Sequence, residues 1–104
     1  MDEQTPGTQS ELAALHAIVE GRVQGVGFRM FVQQTASGLD LTGWVRNRYN
    51  GNVEVWAEGS SQKLQDLITA LRKGPPAATV IELNYRWKEP TGKYQKYMVI
   101  ATEY

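Results

Sequence analysis

The sequence predicts an α+β fold in which two helices pack on one face of an antiparallel sheet. Three observations predict it. Two segments carry apolar residues at helical spacing, around Phe28–Leu39 and Leu64–Leu71. The segments between and around them alternate apolar and polar residues, as half-buried strands do. Asn50-Gly51 sits between the two middle strand segments and reads as a hairpin turn.

Leu12 to Glu20 is rich in aliphatic residues and reads as a central strand, with Ala17 and Val19 on one face. Phe28, Phe31, Val32, Thr35, Ala36 and Leu39 recur at helical spacing, so Phe28 to Ser37 reads as an amphipathic helix that Gly38 stops. Gly43 to Arg48 and Asn52 to Glu58 read as strands. In the second, Val53, Val55 and Ala57 alternate with Glu54, Trp56 and Glu58. Ser60 or Ser61 can cap a second helix. Its apolar stripe is Leu64, Leu67, Ile68 and Leu71, and Gly74-Pro75-Pro76 ends it. Ile81, Leu83, Tyr85 and Trp87 alternate with Glu82, Asn84, Arg86 and Lys88, which predicts a strand with one buried and one wet face. Pro90 to Gly92 turns the chain, and Tyr94 to Ala101 supplies a last extended segment. The order strand, helix, hairpin, helix, strand is that of the split βαβ, or ferredoxin-like, sandwich.

The chain has 104 residues, enough for one domain that buries about two thirds of its unfolded surface. Residues 1–11 read as a flexible polar tail and 12–104 as the domain. The absence of cysteine excludes disulfides, thiolate metal sites and thiol nucleophiles. With 11 basic and 11 acidic residues the formal charge is zero, which argues against broad binding to nucleic acid or anionic membrane. No apolar run can span a bilayer. The N-terminus, with Asp2 and Glu3, lacks the basic and apolar regions of a signal peptide, so a cytoplasmic protein is expected.

Chemistry concentrates in Gly21-Arg22-Val23-Gln24-Gly25-Val26-Gly27-Phe28-Arg29. Three glycines fall between a strand and a helix start. Glycines let the backbone bend tightly and approach a ligand. A helix N-terminus adds free N–H donors and positive dipole character, and together these suit an anion such as phosphate. The same glycines also suit a tight turn with no ligand. The Walker and dinucleotide fingerprints do not fit. Arg29, at the second helical position, can hold two oxygens of a tetrahedral anion in fork geometry, or be a solvated surface arginine. A second motif is Gly43-Trp44-Val45-Arg46-Asn47-Arg48. Its Asn47 can donate and accept, and so orient a water without being a strong base; it can equally promote a turn.

These two runs resemble the signatures of the acylphosphatase family. Gly21-x-Val23-Gln24-Gly25-Val26-x-Phe28-Arg29 is similar to its first, and Gly43-Trp44-Val45-Arg46-Asn47-x-x-x-Gly51-x-Val53, with Gly59 beyond, to its second. The resemblance covers roughly residues 12 to 101. It implies a ferredoxin-like fold and hydrolysis of small acyl phosphates to carboxylate and phosphate, without cofactor or metal. It also implies that Arg29 binds phosphate and that Asn47 positions the attacking water. Gln24, Gly25, Val26, Gly27, Phe28 and Arg29 are then the phosphate-binding residues. Phosphate or another oxyanion is expected as product and inhibitor, and the protein as a monomer. The polar tail and Thr102 to Tyr104 depart from the family pattern.

An acyl phosphate leaves as a carboxylate whose conjugate acid has a pKa of about 4, so a general acid is dispensable. This accounts for motifs without Asp, Glu, His or Cys. His16, the sole histidine, reads as structural. Arg22, Arg46 and Arg48 either raise the local potential or are solvated strand ends. Trp44, Trp56 and Trp87 fit sheet packing better than base stacking. Three rival functions are an RNA-binding module of the same element order, a small-ligand regulatory domain, and a carbamoyl-phosphate-using maturation protein. Zero net charge weighs against the first, the chain's own phosphate motif against the second, and chain length against the third.

Overall fold

The elements, in a computed structural model that describes residues 11–103, are β1 (Leu12–Arg22), α1 (Phe28–Gly38), β2 (Thr42–Asn47), β3 (Val53–Ser60), α2 (Ser61–Lys73), β4 (Thr79–Lys88) and β5 (Tyr97–Val99). The expected tail lies outside the described residues except for Glu11, whose carbonyl accepts from Ser61 N–H at 2.9 Å. The five strands form one sheet in the order β4-β1-β3-β2-β5. Val53, Val55 and Ala57 of β3 and Leu15, Ala17 and Val19 of β1 are fully buried on one face. Both helices pack there, α1 over β2 and β5, α2 over β1 and β4. They insert Phe28, Val32 and Ala36, and Leu64, Leu67 and Leu71, into the same core. This is the ferredoxin-like α+β sandwich that the alternating periods predict.

Local chemistry explains the element ends. Ser60 caps α2 by accepting from Lys63 N–H at 3.4 Å, and Gly74, at φ 69°, closes it with N–H to Ala70 O at 2.8 Å. Arg72 and Lys73 in its last turn complement the helix dipole. The β2–β3 turn has three residues, Tyr49–Gly51, bracketed by Arg48 N–H to Asn52 O at 2.9 Å. Only Gly51, at φ 97°, takes a positive φ there.

Three expectations need correction. Gly38 does not stop α1: it is the last helical residue, and the left-handed residue is Asp40 at φ 59°. Asp tolerates that conformation better than most residues. The sheet is not antiparallel throughout, since β5 runs parallel to β2, pairing Gly43 with Tyr97 and Val45 with Val99. The chain leaves β4 at one edge, crosses the sheet in residues 89–96 and arrives at the other edge pointing the same way as β2. Finally, Ile81 is 78% exposed. The β1–β4 register shifts between Glu20 and Gly21, so that Glu20 faces Glu82 while Gly21 faces Val80. Ile81 is the extra residue of this bulge, and Val80 packs inward in its place.

The crossing segment changes the face opposite the helices. Glu58 projects there from β3 and is buried. Its Oε1 accepts from Thr91 N–H at 2.9 Å and Gly92 N–H at 3.0 Å; its Oε2 accepts from Thr91 Oγ1 at 2.6 Å and Trp56 Nε1 at 2.7 Å. Trp44 Nε1 donates to Tyr94 Oη of the same segment at 3.2 Å. Burial pushes the Glu58 carboxyl up, but the bonds from Thr91, Trp56 and Gly92 outweigh it and hold the group below the usual 4.5. A carboxyl depressed in the folded state stabilises the protein above its unfolded pKa and loses that contribution as pH falls through the folded value. Stability is therefore expected to drop below about pH 4.5. Glu58→Gln should start less stable at neutral pH and lose less on acidification. Melting midpoints measured from pH 6 to pH 3 check this; equal slopes in parent and variant would contradict it.

Candidate active site

Sheet register brings the two sequence motifs together. Val19 of β1 faces Val53 of β3, and Val53 faces Asn47 of β2. The three residues form one row across neighbouring strands, on the helix side. Beyond Val19 the chain runs through Gly21 and Arg22 to Val23, which is buried, and enters the turn. Gly25 and Gly27 lie at φ 73° and 80°, and α1 begins at Phe28, whose ring is buried. Among the described residues no side chain caps the first turn of α1, and that turn contains no acidic residue. Its leading N–H groups thus stay available. Arg29 sits in that turn. A cation there opposes the helix dipole, at a cost of about 0.3–1 kcal/mol, so helix stability does not explain it. The Arg29 side chain makes no hydrogen bond or ion pair with another described residue.

Asn47 ends β2. Its backbone carbonyl accepts from Glu103 N–H at 3.1 Å. Its side-chain Oδ1 is buried and has no hydrogen-bond partner among the described residues. A buried acceptor left unpaired costs about 1–3 kcal/mol, which marks Asn47 as a group that the fold alone does not satisfy.

A cavity of about 420 Å³ joins these parts, lined by Val23, Gly25, Gly27, Phe28, Arg29, Met30, Asn47 and Val99. Of the residues singled out in the sequence, Gly25, Gly27, Phe28, Arg29 and Asn47 meet there. Gln24 and Val26 do not line it. The Gln24 side chain points to the hairpin instead, donating from Nε2 to Arg48 O at 2.7 Å and Asn52 O at 2.9 Å. It locks the glycine turn onto the loop beside Asn47. Val26 packs against the core. Met30 and Val99, which sequence reasoning missed, form an exposed apolar wall. Met30 was traceable as an apolar residue off the helical stripe. Val99 carries no such signal, because its place depends on the parallel β5 pairing.

Among the described residues the cavity lining includes no carboxylate and no imidazole. Among the described residues no three of His, Cys, Asp and Glu cluster as metal ligands. His16 lies on the opposite face, its Nε2 2.6 Å from Glu54 Oε2. Neither Arg46 nor Arg48 is free: Glu54 Oε1 lies 2.8 Å from Arg46 Nε and 3.4 Å from Arg48 Nη1. Burial pushes the Glu54 carboxyl up, but His16 and Arg46 outweigh it and hold it below the usual 4.5.

Comparison with known proteins is decisive at the family level. The acylphosphatase family model matches residues 15–99. The chain belongs to the acylphosphatase family. It is 46% identical over 82 residues to an acylphosphatase of Moorella thermoacetica, covering 79% of this chain and 88% of that protein. It is 46% identical over 92 residues to one from Trichormus variabilis, covering 88% and 89%. The crystal structure of acylphosphatase from Bacillus subtilis superposes with a TM-score of 0.82 at 38% identity, covering 86% of this chain and 99% of that one.

Two glycines, Gly43 of the second motif and Gly27 just before α1, have different physical reasons. A Cβ on Gly43, at φ 137°, would lie 2.1 Å from Trp56 O across the strand pair. A Cβ on Gly27 would meet nothing within 4 Å. Gly43→Ala should therefore destabilise the fold by about 3–4 kcal/mol, through clash and strain together. Gly27→Ala should cost only the left-handed strain, about 1–2 kcal/mol. Urea titration of both variants ranks them, and a ranking with Gly27→Ala the worse would refute this account.

Proposed function

We propose that the chain is an acylphosphatase, hydrolysing the carboxyl–phosphate bond of small acyl phosphates to carboxylate and inorganic phosphate. The observation that carries the proposal is the single cavity shared by an uncapped helix start, Arg29 and an Asn47 whose buried Oδ1 lacks a partner. Family membership and the named relatives support the same reaction.

In this scheme the phosphoryl oxygens sit among the N–H groups of the glycine turn and first helical turn, with the Arg29 guanidinium bridging two of them. Asn47 accepts a hydrogen bond from a water and holds it in line with the bond to be broken. The water oxygen bonds to phosphorus, the phosphorus–acyl oxygen bond breaks, and the carboxylate departs with the bonding pair. A phosphoryl oxygen takes the proton lost by the water. The leaving carboxylate needs no protonation at neutral pH, because its conjugate acid has a pKa of about 4. The cavity's lack of acid and base side chains suits a reaction of this kind. Phosphoryl transfer depends mostly on positioning and charge stabilisation, and fixed N–H groups with a guanidinium supply both without a metal ion.

The test is hydrolysis of benzoyl phosphate in the presence of EDTA. The parent should turn over. Arg29→Ala should lose nearly all binding and turnover. Asn47→Ala should lose roughly 10²-fold or more in kcat with KM largely kept. A folded parent that leaves benzoyl phosphate intact would sink the proposal. Lost affinity with intact kcat in Asn47→Ala would remove the role given to that residue.

A further inference from the structure

We infer that Glu54 is a positioning residue for Asn47, acting from the far side of the sheet; this rests on the role proposed above for Asn47. Alternation along β2 sends Asn47 to the cavity side and its neighbours Arg46 and Arg48 to the opposite side. Glu54 faces Arg46 across the β2–β3 pair and is only 6% exposed. One carboxylate oxygen, Oε1, reaches both arginines, at 2.8 Å and 3.4 Å. The other, Oε2, is taken by His16 of β1 at 2.6 Å. The clamp therefore grips the residues immediately before and after Asn47 and ties them to two neighbouring strands.

A second loop of contacts closes on the same residue. Arg46 Nη1 donates to Glu103 Oε1 at 2.6 Å, while Glu103 N–H donates to the Asn47 carbonyl at 3.1 Å. The Arg46 guanidinium also lies 4.9 Å from the centre of the Trp44 ring. Asn47 is thus held through its own carbonyl and through both flanking side chains, and Glu54 is, among the described residues, the one anion common to both arginines. Removing a buried carboxylate leaves two guanidinium groups without their shared partner, and they repel each other. The end of β2 then shifts or samples several positions. A purely structural role would lower stability at no cost to catalysis. A positioning role lowers the rate even in a fully folded protein, because small displacements of a water-orienting group cost disproportionately.

The experiment compares parent and Glu54→Gln with benzoyl phosphate, well below the melting midpoint of the variant. We expect kcat to fall roughly tenfold or more, with KM and inhibition by inorganic phosphate within about twofold of the parent. The side-chain amide resonances of ¹⁵N-labelled Asn47, identified by their loss in Asn47→Ala, should move or broaden in the variant, while the Arg29 Nε resonance holds its place. Arg46→Lys, whose single ammonium cannot reach Glu54 and Glu103 together, should show the same split more mildly, and it replaces Glu54→Gln if that variant does not fold. Unchanged kcat and an unmoved Asn47 amide in a folded variant would overturn the inference. Should the parent show no turnover, the proposed reaction fails and the Asn47 resonances alone decide whether Glu54 positions that side chain.

Discussion

The molecule depends on the register of three strands at the middle of its sheet. Val19, Val53 and Asn47 stand in one row because β1 pairs with β3, and β3 with β2, without slip over that stretch. The row places the exit of β1 beside the end of β2. A turn of four residues then suffices to start α1 over Asn47, and the Gln24 amide closes the gap with its two bonds to the hairpin. A slip of one residue would move every side chain of β2 to the other face. Arg46 would enter the cavity, Asn47 would leave it, and Val45 would be pulled out of the core. The packing that fixes the fold and the geometry of the site are therefore the same constraint.

Alternation has a second consequence, on the face away from the helices. There the strands present His16, Arg46, Arg48, Glu54 and Glu58, a set that would normally face water. The connection from β4 to β5 crosses this face and screens part of it. Two carboxylates end up buried, and each is matched to donors from other parts of the chain. Glu58 binds the connection, and Glu54 binds the two arginines and the histidine. Buried charge is tolerated only where such partners exist. What they provide is definition: the Glu58 donors fix where the crossing segment lies, and hence where β5 and Val99 arrive beside the cavity.

The sequence was most legible where periodicity and local chemistry agree. The stripes of both helices, the β3 alternation, the hairpin at Gly51 and the cap at Ser60 are decided within a few residues of chain, and the structure has them. Both motifs could be placed, since Arg29 and Asn47 each follow from a predicted element boundary. The misses share one cause, which is dependence on distant pairing. Ile81 looks inward by alternation, but its place is set by a bulge against Glu20 and Gly21. The direction of β5 depends on a crossing that no local signal reports. Glu54 and Glu58 alternate correctly yet are not solvated, because the groups that bury them are far away in sequence. The bonds of the Gln24 side chain to the hairpin are likewise unreported by any local signal, because Arg48 and Asn52 lie far along the chain.

A site of this composition places an unusual demand on the rest of the molecule. On the proposed mechanism no residue in the cavity exchanges a proton, so the rate cannot be tuned by shifting the pKa of an acid or base there. A guanidinium stays charged at any physiological pH, and backbone N–H groups do not titrate. What remains adjustable is position: how rigidly the turn holds its N–H groups, and how closely Asn47 keeps its place. Those properties are set outside the cavity, by Gln24 on one flank and by the arginine clamp behind β2 on the other. Selection for rate would then act on residues that never touch substrate, and ionisable groups would act as fixed anchors on the far face. Acidification would reach the site through them, as loss of the contacts that keep β2 in place.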